Sequence, residues 1–349
     1  MIDDTGREPP GFCVREATLQ DNAALLALDR ECVVAAATPV SFDRSPDFFA
    51  RSRPYSSWRA YVAEGDSGLI GVGAMTLKSV LVGGRPVQAA YFYDLRVAPA
   101  FRRLGVAKAV GDAIRAYTRS LTPMVGYSLV MEGNVASLTF VQGRGSRPMC
   151  SCILSLIPIE NVPAADTRRL RVLDDSDVEA ALRLARTTHP DHDLFPFPDA
   201  GSLRDRLERL GGAGFRGLYG WDSGGELSGC FGLWDYSPVM RMRILQAEGE
   251  WAWAGERDLH QVFLMPLGFR GAAGIAEAVR LAAALLRRES GPGAARVLAV
   301  PHDLADVAYT GLDEFRPIRL GFKMFGLELG GARGISLGSR PVFVDPADL

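Results

Sequence analysis

The sequence predicts an α/β (α+β) protein built from two similar halves, and three observations carry this prediction. Apolar strand-like runs alternate with amphipathic helical patterns along the chain. A strand, a glycine-containing turn and a helix follow one another over residues 91–117. A stretch that begins near residue 14 is repeated near residue 170 at one constant offset. The 349 residues are long for one domain and comfortable for two.

The first half shows a regular series of elements. Strands are predicted near 12–17, 58–64, 69–82, 86–98, 124–131 and 148–157, and helices near 19–35, 103–120 and 134–142. Residues 37–55 contain three prolines and are predicted to form a loop with a short helix. Gly83 and Gly84, between two apolar runs, predict a tight hairpin turn.

The internal repeat indicates where the halves meet. Arg15 matches Arg171, Thr18 matches Asp174 and Asp21 matches Asp177. In both copies a strand end is followed by a capped amphipathic helix, with Thr18 or Asp174 near the N-cap. The segment 159–167 breaks the pattern and is the predicted linker. We therefore expect domains over residues 1–160 and 168–349.

The turn after the strand at 91–97 is the main candidate for a binding site. The first amides of a helix have no intrahelical partner, and the helix dipole adds positive charge there. Gly105 and Ala107 let a ligand approach the backbone, and Arg102 and Arg103 add charge. A diphosphate is the expected ligand. Neither a dinucleotide fingerprint nor a phosphate loop of the Walker type fits these residues.

These residues resemble a known family. Arg102-x-x-Gly105-x-Ala107 is similar to the (Gln/Arg)-x-x-Gly-x-(Gly/Ala) signature of the GNAT superfamily of acyl-CoA-dependent N-acyltransferases. The strand Asp94-Leu95-Arg96-Val97 before the signature and the helix that begins at Asn134 also resemble that family. The resemblance implies tandem GNAT-like domains, each with a mixed, mostly antiparallel central sheet flanked by helices.

The resemblance also implies a site. The turn would hold the pyrophosphate of coenzyme A and the strand would lie along the pantetheine arm, with a strand amide near the developing oxyanion. The implied cofactor-binding residues are Leu95, Arg96, Val97, Arg102, Arg103, Leu104, Gly105, Val106, Ala107, Asn134 and Ser137. Acetyl-CoA, or another acyl-CoA, is the expected co-substrate.

The usual acid–base residues of the family are missing. The Glu before the Asp of the strand is Tyr93 here, and the Tyr seven residues after the Asn is Val141. Candidate substitutes are Tyr91, Tyr93, Asp94, Glu132, Ser137 and Cys152. The expected catalytic residues are Tyr93, Glu132, Asn134 and Ser137. Asp94 is expected to accept backbone N–H bonds rather than to act in catalysis.

The second half resembles a degenerate copy. A strand over 259–266 leads into a helix through about Arg287, but Arg270 is out of register with Gly274 and Ala276. Alignment on those two residues places Gly271 where Arg102 stands in the first half. A structural or substrate-shaping role is therefore expected for this half.

Composition limits the partners. The net charge of −2 gives no electrostatic argument for nucleic acid or an anionic membrane, and no apolar run is long enough to cross a bilayer. Five sparse cysteines and four histidines offer no zinc spacing, and His189 and His192 lie in a proline-rich loop. No metal is expected. The first ten residues fit no signal peptide, so a cytoplasmic location is expected.

The resemblance thus implies an N-acetyltransferase that moves an acetyl group to a small-molecule or amino-acid-like amine in a ternary complex, and a monomer or homodimer is expected. Two alternatives stay open. One is an acyl-CoA decarboxylase or acyl loader on the same fold, which would explain the missing Glu and Tyr. The other is a non-catalytic acyl-CoA-binding module.

Overall fold

A large mixed sheet runs through both halves of the chain in the computed structural model, which describes residues 11–34, 39–245, 249, 258–288, 297–329 and 337–349. Within these described residues, twelve strands form this sheet and three form a smaller one. Two strand pairs of the large sheet are parallel and the others are antiparallel. The predicted fold class, a mostly antiparallel sheet flanked by helices, is confirmed.

The first half contributes seven strands and three α-helices to the described part of the chain. They are β1 (Phe12–Glu16), α1 (Asn22–Glu31), β2 (Val40–Asp43), β3 (Trp58–Gly65), β4 (Gly68–Val82), β5 (Arg85–Val97), α2 (Val106–Ser120), β6 (Val125–Met131), α3 (Val135–Gly143) and β7 (Arg147–Pro158).

The second half repeats this succession with changes. Its elements are β8 (Leu170–Val172), α4 (Val178–Thr188), α5 (Ala200–Gly211), β9 (Phe215–Ser223), β10 (Glu226–Asp235), β11 (Arg241–Ile244), β12 (Asp258–Leu259), β13 (Gln261–Gly268), α6 (Gly271–Arg288), β14 (Val297–Asp303), the 3-10 helix Val307–Phe315 and β15 (Ile318–Glu328).

The order of strands interleaves the halves. It runs β1-β3-β4-β5-β6-β15-β7-β14-β13-β10-β9-β8, so the last strand of the second half lies between β6 and β7 of the first. Phe325 of β15 pairs with Ser128 of β6, and Phe322 pairs with Cys152 of β7. The domain boundary at 160–168 stays a prediction, and the sheet is continuous across it.

Each half contains one parallel strand pair that opens along its length. In the first half β5 and β6 pair only over three residues each, from Ala89 with Val125 to Tyr91 with Tyr127. In the second half β13 and β14 pair in the same way, from Gln261 to Phe263. Beyond these short ladders the two strands of each pair have no mutual pairing, which makes room for a cleft in the middle of the sheet.

The matched residues of the internal repeat form matching contacts. The Arg15 guanidinium donates to both carboxylate oxygens of Asp21, at 2.8 Å each. The Arg171 guanidinium donates to Asp177 in the same way, at 2.8 and 2.9 Å. Each pair ties the first strand of its half to the start of the following helix, so the two halves begin alike in structure as in sequence.

The segment 37–55 differs from its prediction. It contains β2 as well as the 3-10 helix Phe48–Ser52, and β2 pairs with β11 of the second half. Asp43 lies opposite Arg241, whose guanidinium binds the Asp43 carboxylate at 2.5 Å. A four-residue strand next to prolines has too little periodicity to be recognised, and its partner lies about two hundred residues further along the chain.

The helix after β5 starts later than predicted, at Val106 rather than 103. Arg103 and Gly105 have φ angles of 65° and 82°, in the left-handed region, so they form a turn ahead of the helix. Among the described helices, none is long and apolar enough to cross a membrane.

Candidate functional site

A cavity of about 650 Å³ lies where β5 and β6 diverge. Its walls include residues 91–96 of β5, 128–131 of β6, one face of α2 from Gly111 to Arg119, residues Asn134, Ser137, Phe140, Val141 and Arg144 at and along α3, and Asp348 and Leu349 from the end of the second half. The cavity is therefore formed mainly by the first half and completed by the second.

A bulge in β5 lines this cavity. Tyr93 pairs with Ala74 and Arg96 pairs with Val72, so Asp94 and Leu95 both stand opposite Gly73 on β4. Asp94 has a φ of 55°, in the left-handed region. A bulge interrupts the ladder and redirects backbone groups. Because β6 has already moved away, strand amides at the bulge can serve a ligand in the cavity.

The Asp94 side chain anchors the bulge through two buried arginines, one of which, Arg51, also lines the cavity. Its carboxylate accepts hydrogen bonds from Arg44 at 2.7 Å on each oxygen, and from Arg51 at 2.5 Å. Burial raises the pKa of Asp94, but the charges of Arg44 and Arg51 outweigh burial and lower it well below its ordinary value. The expectation of backbone N–H partners was wrong, because two buried guanidiniums need a counter-charge here.

Tyr91 and Tyr93 form one aromatic stack, with ring centroids 5.2 Å apart. The Tyr93 hydroxyl shares a hydrogen bond of 2.8 Å with Ser52 Oγ, and the Tyr91 hydroxyl donates to the main-chain oxygen of Asp348. Burial raises the pKa of both phenols. Tyr93 therefore stays protonated at neutral pH, so it can donate a hydrogen bond but cannot serve as a base.

The turn between β5 and α2 has the form that the motif predicts. Gly105 is the N-cap of α2, and the amide of Ala109 donates to the Gly105 carbonyl at 3.0 Å. The amides of Val106 and Ala107 lie in the first turn of α2, where a helix has no carbonyl to offer them. Arg102 and Arg103 are exposed, and Arg102 Nε donates to the Val97 carbonyl at 3.3 Å. The turn residues 102–107 and Val97 are not among those that line the cavity.

The predicted residues of α3 divide between the cavity and its surroundings. Asn134 and Ser137 both line the cavity, and Asn134 caps α3 by accepting a hydrogen bond of 3.2 Å from the Ser137 amide. Val141 also lines it, at the position of the usual acid. Glu132 is half-exposed outside the lining and lies 3.1 Å from Lys323 Nζ.

Four arginines that line the cavity were not predicted: Arg51, and the group Arg115, Arg119 and Arg144. Within this group, the Arg115 guanidinium donates to the Arg144 carbonyl at 2.8 Å. Burial lowers the pKa of Arg115, and the charges of Arg144 and Arg119 lower it further. Arg144 also binds the Asp112 carboxylate, and the remaining positive charge of the cluster favours an anion in the cavity. An arginine-rich composition hid these four residues in the sequence.

The end of the chain supplies a second unpredicted group. Lys78 Nζ on β4 donates to Asp345 at 2.7 Å and to both oxygens of Asp348, at 2.8 and 2.9 Å. Tyr127 donates to Asp348 at 2.7 Å. Burial raises the pKa of Asp348, while Arg206 and Lys78 overcome burial at Asp345 and lower its pKa. The available signal was Lys78 itself, since a lysine in an apolar strand needs a buried partner.

The corresponding place in the second half is filled. Asp306 caps the 3-10 helix Val307–Phe315 three residues after β14, as Asn134 follows β6. That helix packs so closely on α6 that a Cβ on Gly311 would lie 2.0 Å from the Ala272 carbonyl oxygen. The rings of His189, Phe269, Tyr309 and Phe343 pack together beside it.

Comparison with known proteins identifies the fold. No family model matches the chain, and no curated protein matches it. N-myristoyltransferase of Saccharomyces cerevisiae, solved with bound myristoyl-CoA, is similar over 98% of this chain and 87% of its own, at 12% identity and a TM-score of 0.65.

Two further structures are similar. A tandem GNAT protein from the clavulanic acid biosynthesis pathway matches 92% of this chain and 99% of its own, at 14% identity and a TM-score of 0.58. A candidate acetyltransferase from Pyrococcus horikoshii matches 96% and 95%, at 11% identity and a TM-score of 0.59. The protein has a tandem GNAT fold, as the sequence predicts.

Proposed function

We propose that this protein is an acyl-CoA-dependent N-acyltransferase that works in the cleft of the first half. The observation that carries the proposal is the cavity at the bulge, where β5 and β6 diverge beside a helix-capping turn. Similar structures support it, since the yeast N-myristoyltransferase holds an acyl-CoA on the same fold. Acetyl-CoA remains the proposed co-substrate.

The phosphates of coenzyme A are assigned to two positively polarised places. The amides at 103–107, with Arg102 and Arg103, would hold the diphosphate as the resemblance implies. The cluster of Arg115, Arg119 and Arg144 would attract a further phosphate, because an anion relieves the repulsion among these guanidiniums. The pantetheine arm would then lie along Leu95, Arg96 and Val97 on one wall, and Asn134 and Ser137 on the other.

The reaction would be direct attack in a ternary complex. The neutral amine forms a C–N bond with the thioester carbonyl carbon, the C–S bond breaks, and the thiolate takes up a proton. Backbone amides of the bulge at Asp94 and Leu95 would stabilise the oxyanion. Positioning of the two substrates would supply most of the remaining rate enhancement over the uncatalysed reaction.

Proton transfer has no usual pair of residues in this cleft. Tyr93 is held as a phenol and is assigned as a hydrogen-bond donor, while Glu132 lies beside Lys323. Ser137 lines the cavity and is assigned a hydrogen bond to the thioester end. The amine would lose its proton to solvent before attack. The proposed acceptor is a small-molecule or amino-acid-like amine. The proposed location of the protein is the cytoplasm.

The test combines binding with turnover. Calorimetry measures the binding of acetyl-CoA, and a thiol-reactive dye follows release of coenzyme A from acetyl-, malonyl-, octanoyl- and myristoyl-CoA with amines, amino acids and short peptides. Amine-dependent release, with the acyl mass added to the amine, supports transfer. Carbon dioxide from malonyl-CoA alone indicates a decarboxylase, and binding without release indicates a binding module.

Glycine variants provide matched controls for this test. Gly105→Val should abolish binding of acetyl-CoA, because a side chain at a φ of 82° strains the turn that presents the amides. Gly84→Val imposes the same strain on a hairpin turn, at a φ of 72° and with open space around it. Full affinity in the Gly105 variant would show that the diphosphate site is wrongly placed.

A further inference from the structure

His189, His192 and Asp306 form a buried cluster in the filled cleft of the second half. Their nitrogen and carboxylate oxygen atoms lie within 4.8 Å of one another. His192 Nε2 and Asp306 Oδ2 are 2.7 Å apart, and the rings of His189 and His192 meet edge to face with centroids 4.7 Å apart. We propose that this cluster is a binding site for a divalent transition-metal ion such as Zn²⁺.

The chemistry of the three side chains suits such an ion. Two imidazole nitrogens and one carboxylate oxygen are a ligand set that zinc accepts at about 2.0–2.2 Å from each donor. Zinc sites are tetrahedral, so two donor atoms on one ion lie about 3.4 Å apart. His192 Nε2 and Asp306 Oδ2 are 2.7 Å apart, whereas the widest separation in the cluster, up to 4.8 Å, would have to shorten by about 1.4 Å when the ion binds.

Within the described part of the chain, the cluster contains a polar atom without a hydrogen-bond partner in apolar surroundings. All three side chains are buried, and the Nδ1 atom of His192 has no hydrogen-bond partner among the described residues. Aromatic rings surround the cluster: the ring centroids of Phe343 and Phe195 lie 5.1 and 6.0 Å from that of His189. A buried nitrogen without a hydrogen-bond partner costs free energy, and coordination of the His192 ring through that nitrogen would offset this cost.

The arrangement of the three ligands gives the ion a structural role. His189 follows the last residue of α4, His192 lies in the next loop, and Asp306 caps the 3-10 helix after β14. Phe343, packed on His189, lies two residues before Asp345 in the segment that binds Lys78 of the first half. The ion would fix these segments together and so hold the second half to the cleft of the first.

Zinc binding to the whole chain tests the proposal, independently of any acyltransferase activity. Tag-free protein is treated with a chelator, dialysed and titrated with Zn²⁺ by calorimetry at pH 7.5, and Co²⁺ is added separately to record its visible absorption. We expect about one equivalent bound with a rise in melting temperature, since the metal binds the folded state. Loss of a ligand should lower the affinity at least about tenfold.

Three variants locate the ion. His192→Ala and Asp306→Asn each remove one ligand, and the near-isosteric Asp306→Asn preserves the volume of the site. His260→Ala is the matched control, because His260 also lies beside a carboxylate, 3.1 Å from Asp235, but outside the cluster. Binding that is lost in the first two variants and kept in the third supports the site. Binding below about a tenth of an equivalent in the unaltered chain, or equal affinity in all variants, overturns it.

Discussion

The clefts of the two halves show how one arrangement of strands and helices can serve two purposes. In each half a parallel pair opens after three residues of pairing, and a capped helix follows the second strand. In the first half the space between the strands is a cavity of about 650 Å³. In the second half Phe269, Tyr309 and His189 occupy the corresponding space.

A few residues account for the difference. The first half has a bulge at Asp94 and an arginine in register ahead of Gly105, and residues of both α2 and α3 line the cavity. In the second half the Gly274 amide donates to the Arg270 carbonyl at 3.2 Å, and Gly311 allows the capped helix to lie against α6. The opening of the strands is thus a property of the fold, whereas access to it is decided by side chains.

The largest expected effect comes from the contact that joins the halves. Lys78→Met should destabilise the protein by about 3–5 kcal/mol, because it leaves Asp348 buried without its cationic partner and Asp345 with Arg206 alone. Urea unfolding measures this loss. Lys108→Met is the control, since Lys108 is exposed and pairs with Asp112 on one helix face. Equal stability of the two variants would mean that the end of the chain does not support the first half.

The turns ahead of α2 and α6 provide the next test. Gly105→Val should abolish acetyl-CoA binding, and Gly271→Val, at a φ of 61° at the start of α6, should leave it unchanged. Calorimetry with each variant measures the difference, and circular dichroism checks the fold. If Gly271→Val removed binding and Gly105→Val did not, the assignment of the two halves would have to be exchanged.

The arginines beside these turns give a smaller difference. Arg102→Ala should weaken acetyl-CoA binding by about 1–3 kcal/mol, the range for loss of a charged hydrogen bond. Arg270→Ala should have no effect, because Arg270 is out of register with its turn. The affinity of the unaltered protein should also fall with added salt more steeply than that of Arg102→Ala. Parallel salt dependences would remove Arg102 from the site.

The sequence predicted what depends on local pattern. The strands from β3 to β7 and the turn at Gly105 were recognised because apolar alternation and a glycine motif are features of neighbouring residues. The insertion of β15 between β6 and β7, and the burial of Asp348 under Tyr127, depend on contacts between distant parts of the chain. No periodicity marks such contacts, so the part of the candidate site that Asp348 and Leu349 form was missed.

The smallest expected effect concerns the arginine–aspartate pair that begins each half, Arg15–Asp21 and Arg171–Asp177. Arg15→Met and Arg171→Met should each lower the free energy of unfolding by about 1 kcal/mol or less. The reason is that the Arg15 and Arg171 side chains are 36% and 42% exposed. Their hydrogen bonds lower the pKa of Asp21 to about 2 and lower the pKa of Asp177. Similar losses in urea unfolding at pH 7 would show that the repeat is equivalent in energy as well as in geometry.

The pH dependence of this loss follows from the direction of the shift. A carboxyl with a lowered folded pKa stabilises the protein above its unfolded pKa of about 3.9, and that stability disappears as the pH falls through the folded value. For Asp21 the window lies between about pH 4 and pH 2. Arg15→Met should therefore differ from the unaltered protein at pH 7 and approach it near pH 2. A difference that persists at pH 2 would assign the effect of Arg15 to packing rather than to charge.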